Sequence, residues 1–320
     1  MNERGLWPLT NVIDVGGRQI RVQGRLLRIA RLDAEKYLFL NDPEPVLRGL
    51  RERGGVDIFT FMQRLPESQP KYGYPMEGDN LAAVPVTTFE NWLTKQIDRK
   101  TRNKAKQAEK KGVTTREVPF GDELAKGIWE VYNECPVRQG KPFRHYGKGL
   151  KEVYDAEATF LEHSFFIGAF FEERLIGFVK ILADENRKQA GLLNILSMIA
   201  HRDKAVTNAL IAHAVRACAE RGIPYLVYSN FAYGNKAPDS LAEFKSNNGF
   251  ERFDVPRYYV PLTMTGRAAL RFGFHHRFMD RLPEALGARL RGVRKQWYDR
   301  KQLVAAPDGN NTVSEATSAQ

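Results

Sequence analysis

The stretch from Ser164 to Phe250 narrows the choice of fold more than any other part of the chain. Two apolar runs, Ser164 to Phe171 and Arg174 to Leu182, flank Glu172-Glu173 and predict a hairpin. The run from Leu192 to Ala200 predicts a central strand buried on both faces. Asp203 to Arg221 is amphipathic and ends at Gly222, a residue suited to closing a helix. Pro224 to Tyr228 then predicts a strand parallel to the central one. Asp239 to Asn248 predicts a short helix capped by Asp239 or Ser240 and followed by Gly249-Phe250. Phe253 to Leu262 supplies the last strand. Strand, crossover helix and parallel strand in this order require an α/β layer structure.

The preceding half is read in the same way. Val12 to Val22 predicts a hairpin turned at Gly16-Gly17, and Arg25 to Leu40 one or two further strands. Asp42-Pro43-Glu44-Pro45 opens a short helix that runs to about Arg53 and stops at Gly54-Gly55. Val56 to Leu65 and Leu81 to Val86 are expected strands, joined by a loop from Pro66 to Asn80. Thr87 or Thr88 is placed to cap one long helix ending at Gly112. Further helices are expected from Phe120 to about Glu134 and from Leu150 to His163. These elements divide the chain into an N-terminal αβ half (1–86), a larger αβ domain (87–262), a basic helical tail (263–304) and a disordered end (305–320).

Composition removes several classes. No apolar run approaches the roughly 20 residues a membrane helix needs, and the first residues lack the apolar core of a secretory signal. The two cysteines, Cys135 and Cys218, have no CxxC spacing, so a cytoplasmic protein without a disulfide framework is expected. Histidines and carboxylates do not recur at ligand spacing, so no metal site is expected. There is no P-loop, GxGxxG or GxSxG motif to indicate nucleotide hydrolysis, hydride transfer or a serine nucleophile.

The net charge of +11 is unevenly placed. Lys95, Arg99, Lys100, Arg102, Lys104, Lys106, Lys110, Lys111 and Arg116 crowd the segment 95–116, the pattern of a polyanion-binding face such as one for tRNA or another nucleic acid. A second cluster lies in 264–303. With Phe272, Phe274, Phe278 and Trp297 it suits contact with an anionic membrane surface, which would make the protein membrane-peripheral.

Two segments carry candidate chemistry. The passage from Ser197 to Ile211 runs from a strand into a helix start, which aims backbone N–H groups and a positive dipole at one point. His201, Arg202 and Lys204 add cationic donors there. The loop from Arg138 to Lys148 mixes donors, aromatics and glycines, the composition of a binding loop. His145 is its only histidine, with an ordinary pKa suited to taking a proton from an amine. Tyr228, Ser229 and Asn230 end a strand beside the crevice where such sheets place ligands, with Tyr233 and Lys245 near them in sequence.

The order of elements, with this turn in the middle and Phe244-Lys-Ser-Asn-Asn-Gly-Phe250 after the next strand, resembles the GNAT superfamily of N-acyltransferases. Lys100-Thr-Arg-Asn-Lys-Ala-Lys-Gln-Ala-Glu-Lys-Lys-Gly-Val113 is similar to the basic helix end of the FemAB-like branch. The resemblance covers roughly residues 85–262 and, more weakly, 25–85. It implies a GNAT-like α/β fold: a mixed, twisted sheet flanked by helices and splayed at its centre, with a reduced GNAT-like copy at the N-terminus. The family's R/Q-x-x-G-x-G/A turn maps onto Arg202, Ala205 and Thr207, so Met198, His201, Arg202, Lys204, Ala205, Thr207 and Asn208 become the expected donor-binding set. The oxyanion-stabilising amide is then expected between Leu196 and Met198. The family's tyrosine acid is replaced by Phe244. Arg138, Gln139, Tyr146, Lys148 and Lys245 are expected at the acceptor, and His145, Tyr228, Ser229 and Asn230 at the chemistry. The activity implied is transfer of an acyl group from a thioester donor, acyl-CoA such as acetyl-CoA, to a small-molecule or glycan amine. An aminoacyl-tRNA-dependent transferase, and a non-catalytic GNAT fold that binds nucleic acid or an envelope partner, stand as alternatives.

Overall fold

The computed structural model describes residues 10–138, 140–232 and 240–276. β1 (Thr10–Val15) and β2 (Arg18–Gln23) form the first hairpin. Gly16 and Gly17 sit at φ 61° and 74°, the left-handed pair that a two-residue hairpin turn requires. β3 (Ile29–Leu32) follows, then a tight turn, then α1 (Glu44–Arg53), which Gly54 closes by donating its N–H to Leu50. β4 (Ile58–Met62) is buried along its whole length.

β5 (Met76–Pro85) begins five residues earlier than the expected Leu81, because a late strand runs alongside it and supplies partners as far back as Met76. The long helix expected from Thr88 to Gly112 is two pieces. Thr88 caps α2 (Phe89–Asn91), which passes into a π-helical turn over Trp92–Gln96. Ile97 is extended and buried, and Asp98 then caps α3 (Arg99–Lys110) by accepting the Thr101 N–H at 2.6 Å. The indole N–H of Trp92 donates to the Asn248 carbonyl at 3.1 Å, which fixes where the first piece points.

β6 (Thr114–Val118) was not expected. It is an edge strand of mostly exposed polar side chains and shows no apolar alternation. After α4 (Asp122–Asn133), the short β7 (Val137–Arg138) and β8 (Lys141–Pro142) pair with each other. α5 (Leu150–Glu157) ends six residues before the expected His163, and Phe160 then turns left-handed at φ 57°. β9 (Ser164–Phe171) and β10 (Arg174–Ala183) make the expected hairpin, with Glu172 and Glu173 both left-handed. β11 (Ala190–Ser197) stops short of the expected Ala200, in a 3-10 turn over Ile199–Lys204 that delays α6 (Val206–Glu220). β12 (Tyr225–Val227), α7 (Ser240–Asn247), β13 (Glu251–Pro261) and α8 (Met264–Arg271) complete the described chain.

The strands form one sheet in the order β1-β2-β3-β4-β13-β5-β12-β11-β10-β9-β6. It is mixed: β3–β4 and β11–β12 are parallel and the other pairs antiparallel. β13 lies between β4 and β5 and joins the last strand of the chain to the N-terminal elements. In the middle of β10, Lys180 turns toward α5 while Gly177 lies against Val206 of α6, so helices cover both faces. The fold class is the expected GNAT-like one. Among the described residues, no helix is long and apolar enough to cross a membrane. Residues 277–303 of the expected basic tail, the end 305–320, Gln139 and Tyr233 lie outside the described residues.

Candidate active site

The sheet opens at its centre. β11 and β12 are bridged only at Ala190↔Leu226 and Gly191↔Val227. Beyond that, β11 stays with β10 while the chain after β12 stays with β5, through Tyr228 N–H to the Ala82 carbonyl (2.7 Å) and Ala82 N–H to the Ser229 carbonyl (2.9 Å). A wedge-shaped cleft results, with Leu193 to Ser197 half-buried along one wall and Tyr228 to Phe231 along the other. The register of β11 slips at Leu193, and such a bulge re-aims the backbone beside a site. Of the amides between Leu196 and Met198, one of which is expected to face the acyl group, that of Met198 donates instead to the Ile176 carbonyl at 2.8 Å.

Beyond the end of β11, Ala205 occupies the turn at φ 55°, the conformation for which glycine is the usual choice. Thr207 shares a 3.1 Å hydrogen bond with Ser197, hydroxyl to hydroxyl. Asn208 is buried and donates its amide N–H to the Asn248 side chain at 2.9 Å. Arg202 is exposed, while His201 and Lys204 rest on the Phe171 ring, Lys204 Nζ being 4.3 Å from its centroid. Two amides of the turn are already engaged. Ile199 and Ala200 each donate to the Glu134 carboxylate at 2.8 Å. Arg138 completes this clamp, holding Glu134 at 3.0 Å and the Ser197 carbonyl at 2.7 Å. From the other side, Gln107 of α3 and Lys111, the residue that ends it, grip Asp203. Lys111 Nζ reaches its carboxylate at 2.9 Å and its carbonyl at 3.0 Å, and Gln107 reaches the carbonyl at 3.0 Å. That contact holds the Asp203 carboxyl below the usual carboxylate range.

The face covered by α4 and α5 carries a buried polar group that spacing in the sequence does not suggest. Tyr132 donates to Glu157 at 2.8 Å, and the Asn194 amide bonds both of them, at 2.6 and 2.8 Å. Lys180, 1% exposed, donates to the carbonyls of Glu157 and Thr159. Burial holds its ammonium below the ordinary lysine pKa and pushes the Tyr132 phenol up. His145 stacks on Tyr132 with centroids 4.4 Å apart and accepts an N–H from Arg144. Burial, with Arg144 and Lys148 beside it, lowers its pKa to about 4, so the ring is neutral at pH 7 and a weak base. Lys148 pairs with Glu152 at 3.0 Å, and Tyr146 is exposed at the rim.

At the apex of the cleft the N-terminal half enters the site. Tyr37 donates its hydroxyl to the Leu192 carbonyl at 3.2 Å, and the neighbouring Lys36 sends its ammonium to Ser229 Oγ at 3.0 Å and to Asn230 Oδ1. Asn230 donates to Asp79 at 2.8 Å, and Asp79 also accepts from Arg257 at 2.8 Å. Arg257 in turn binds the buried Glu35. Lys245 is fully buried, donates to the Asn230 carbonyl and lies 4.8 Å from the centre of the Tyr228 ring. Ser229 itself is left-handed at φ 54°. The adjacent Glu35 and Lys36, Asp79 and Arg257 come from three distant parts of the sequence and follow no motif, so only the fold assembles them. Further out, His275 and His276 both reach Glu77 Oε1, at 2.8 and 3.2 Å, a convergence for which the adjacent histidines were the only signal.

No protein-family model matches the chain, and no curated protein matches it. Solved structures do. The structure of L-PGS from Bacillus licheniformis aligns at 16% identity over 82% of this chain and 88% of that one, with a TM-score of 0.53. The C-terminal DUF2156 domain of an Agrobacterium fabrum protein assigned as a lysylphosphatidylglycerol synthetase aligns at 15% identity, with the same coverage and TM-score. FemX aligns at 10% identity over 83% and 90% of the two chains, with a TM-score of 0.47. At these identities the likeness concerns the fold alone, and it agrees with the GNAT-like arrangement read from the sequence.

Proposed function

We propose that this chain is an acyltransferase in which an amine attacks an activated acyl carbon held where β11 and β12 part. We further propose that the donor is an aminoacyl ester on a nucleic-acid carrier. One observation carries the choice of donor: the basic helix α3 is fastened to the donor turn through Asp203. Lys95, Arg99, Lys100, Lys104, Lys106, Lys110 and Lys111 are exposed along α3 and its approaches. A polyanion lying on α3 has its acyl-bearing end directed at the cleft. The domain assigned as part of a lysylphosphatidylglycerol synthetase shares the fold, and the lysyl group in that name agrees with an aminoacyl group as cargo.

In this reading the protein contributes position and electrostatics rather than a covalent intermediate. The acceptor approaches from the α4–α5 face, past Tyr132, Asn194 and the His145 loop. The amine nitrogen bonds to the acyl carbon and the ester oxygen leaves with its electron pair. The proton shed by nitrogen passes to water or the leaving oxygen. A coenzyme A thioester is the second reading, favoured by the retained left-handed turn at Ala205, which opens α6 behind two amides at Val206 and Thr207.

The test is a thermal-shift titration with an aminoacyl-tRNA pool, acetyl-CoA and coenzyme A at low and moderate salt. The expected result is a shift with the tRNA pool that weakens steeply as salt rises and is lost in the triple variant Lys100→Glu, Lys104→Glu, Lys106→Glu. A saturable, salt-insensitive shift with acetyl-CoA alone would move the donor to the thioester. Binding without turnover on any amine would make the chain a binding module.

A further inference from the structure

An acyl transfer of this kind develops negative charge on the carbonyl oxygen, and something must face it. Of the amides expected from the sequence, between Leu196 and Met198, that of Met198 is spent on Ile176. The apex of the cleft offers another group. The loop bearing Lys36 and Tyr37 spans the vertex. Its backbone and the Tyr37 hydroxyl hold the β11 side, through Gln189 to the Lys36 carbonyl (3.0 Å) and Tyr37 to the Leu192 carbonyl (3.2 Å). The Lys36 ammonium reaches the β12 side at Ser229 and Asn230. Leu192 precedes the bulged Leu193, so Lys36 sits where the two walls separate and where the backbone of β11 is re-aimed.

The electrostatic setting is unusual for a lysine. Its hydrogen-bond partners are neutral oxygens, and among the described residues no carboxylate lies within ion-pair distance of Nζ. The nearest carboxylates, Glu35 and Asp79, are both engaged by Arg257, and Arg31 also holds Glu35. Two N–H bonds of the ammonium are used, which leaves the third for a ligand. Both partners are side chains of constrained residues: Ser229 is left-handed, and the Asn230 side chain is pinned by Asp79. Strain that surrounding contacts over-determine collects at functional positions.

We infer that Lys36, contributed by the N-terminal half, donates its remaining N–H to the acyl carbonyl oxygen and stabilises the oxyanion that forms there. The step balances within the reaction proposed above, on which this inference rests. The amine lone pair forms the C–N bond and the C=O π pair moves onto oxygen beside the ammonium. Collapse of that pair expels the donor's ester oxygen. Lys36 stays protonated throughout and exchanges no proton. It would therefore be a catalytic residue by contact with the reacting atoms.

The test compares wild type, Lys36→Met and Lys36→Arg in aminoacyl transfer from the tRNA pool to hydroxylamine, measured as hydroxamate above the uncatalysed rate, with melting temperatures taken in parallel. Removing one oxyanion donor costs roughly 100- to 1000-fold in kcat. That loss is expected for Lys36→Met, with KM for the donor changed less than threefold and with no fall in melting temperature, because a desolvated ammonium without an ion pair is replaced by an apolar chain. Lys36→Arg is expected to retain a tenth or more of the wild-type rate. The wild-type rate should fall as pH rises through the Lys36 pKa, which burial holds below the ordinary lysine value. Lys36→Arg should lose that limb. The other charged groups facing the site, Glu35, Asp79, Arg31, Arg257 and Lys245, are common to all three proteins. Wild-type transfer with Lys36→Met within threefold of it, or a folded Lys36→Arg as inactive as Lys36→Met, would overturn the assignment. Wild-type inactivity with every donor would overturn the acyl-transfer reading and this role with it.

Discussion

Replacing Glu134 with alanine tests whether the clamp between α4 and the donor turn is a structural keystone. The Glu134 carboxylate accepts three bonds: Ile199 and Ala200 N–H at 2.8 Å each, and Arg138 at 3.0 Å. Its side chain is 17% exposed and that of Arg138 13%, so both ions are largely desolvated. Loss of the acceptor leaves the part-buried Ile199 amide unpaired, at about 1–2 kcal/mol, while the exposed Ala200 amide turns to water at little cost. Arg138 keeps the carbonyls of Ser197 and Val131 but loses its counter-charge, at about 1–2 kcal/mol. The sum is about 3 kcal/mol for Glu134→Ala in urea unfolding. Glu134→Gln, which keeps one acceptor oxygen, should cost about half of that. Arg138→Met leaves both amide bonds in place and should cost less than Glu134→Ala. The double variant should show a coupling of about 1–2 kcal/mol. A Glu134→Ala loss below about 1 kcal/mol, or strict additivity in the double variant, would refute the idea that this pair holds the turn.

Two further outcomes are expected. Ala205→Gly removes the left-handed penalty on a residue with a Cβ, which should raise stability by up to about 1 kcal/mol, and differential scanning calorimetry reads the rise in melting temperature directly. His145 is neutral in the fold down to about pH 4, whereas the unfolded chain takes up a proton near 6.5. The unfolded state therefore binds more protons between those values, so His145 makes the native state lose stability as pH falls from about 6.5 to 4. His145→Phe should flatten that part of a stability-against-pH curve, and an unchanged slope would sink the assignment.

Much of the sheet was readable because its strands carry the signal that burial imposes. β9, β10 and β11 are largely apolar, and α6 follows with helical spacing. The failures have local physical causes. Asp98 out-competed helix continuation by capping a new start, and β6 has no buried face to pattern. The donor turn was legible as a strand-to-helix junction, but its clamp was not, since Glu134 looks like any acid at a helix end until α4 is packed beside Ile199. Residues assembled by topology left no trace in spacing: Lys36 meets Ser229 and Asn230 across nearly two hundred positions.

The place of β13 has a consequence for how the protein is made. β4 and β5 are separated by a gap that only residues 251–261 fill, and those residues are synthesised after almost everything else described. Until they leave the ribosome, the early strands present two open edges, Ile58–Met62 and Met76–Pro85, the first of them apolar except for Thr60. A nascent chain stalled before residue 251 therefore exposes sticky edges that the finished protein hides, and a chaperone bound there would have to leave before the apex residues Asp79 and Arg257 could meet. The last strand to appear is thus the one that licenses the first half to close.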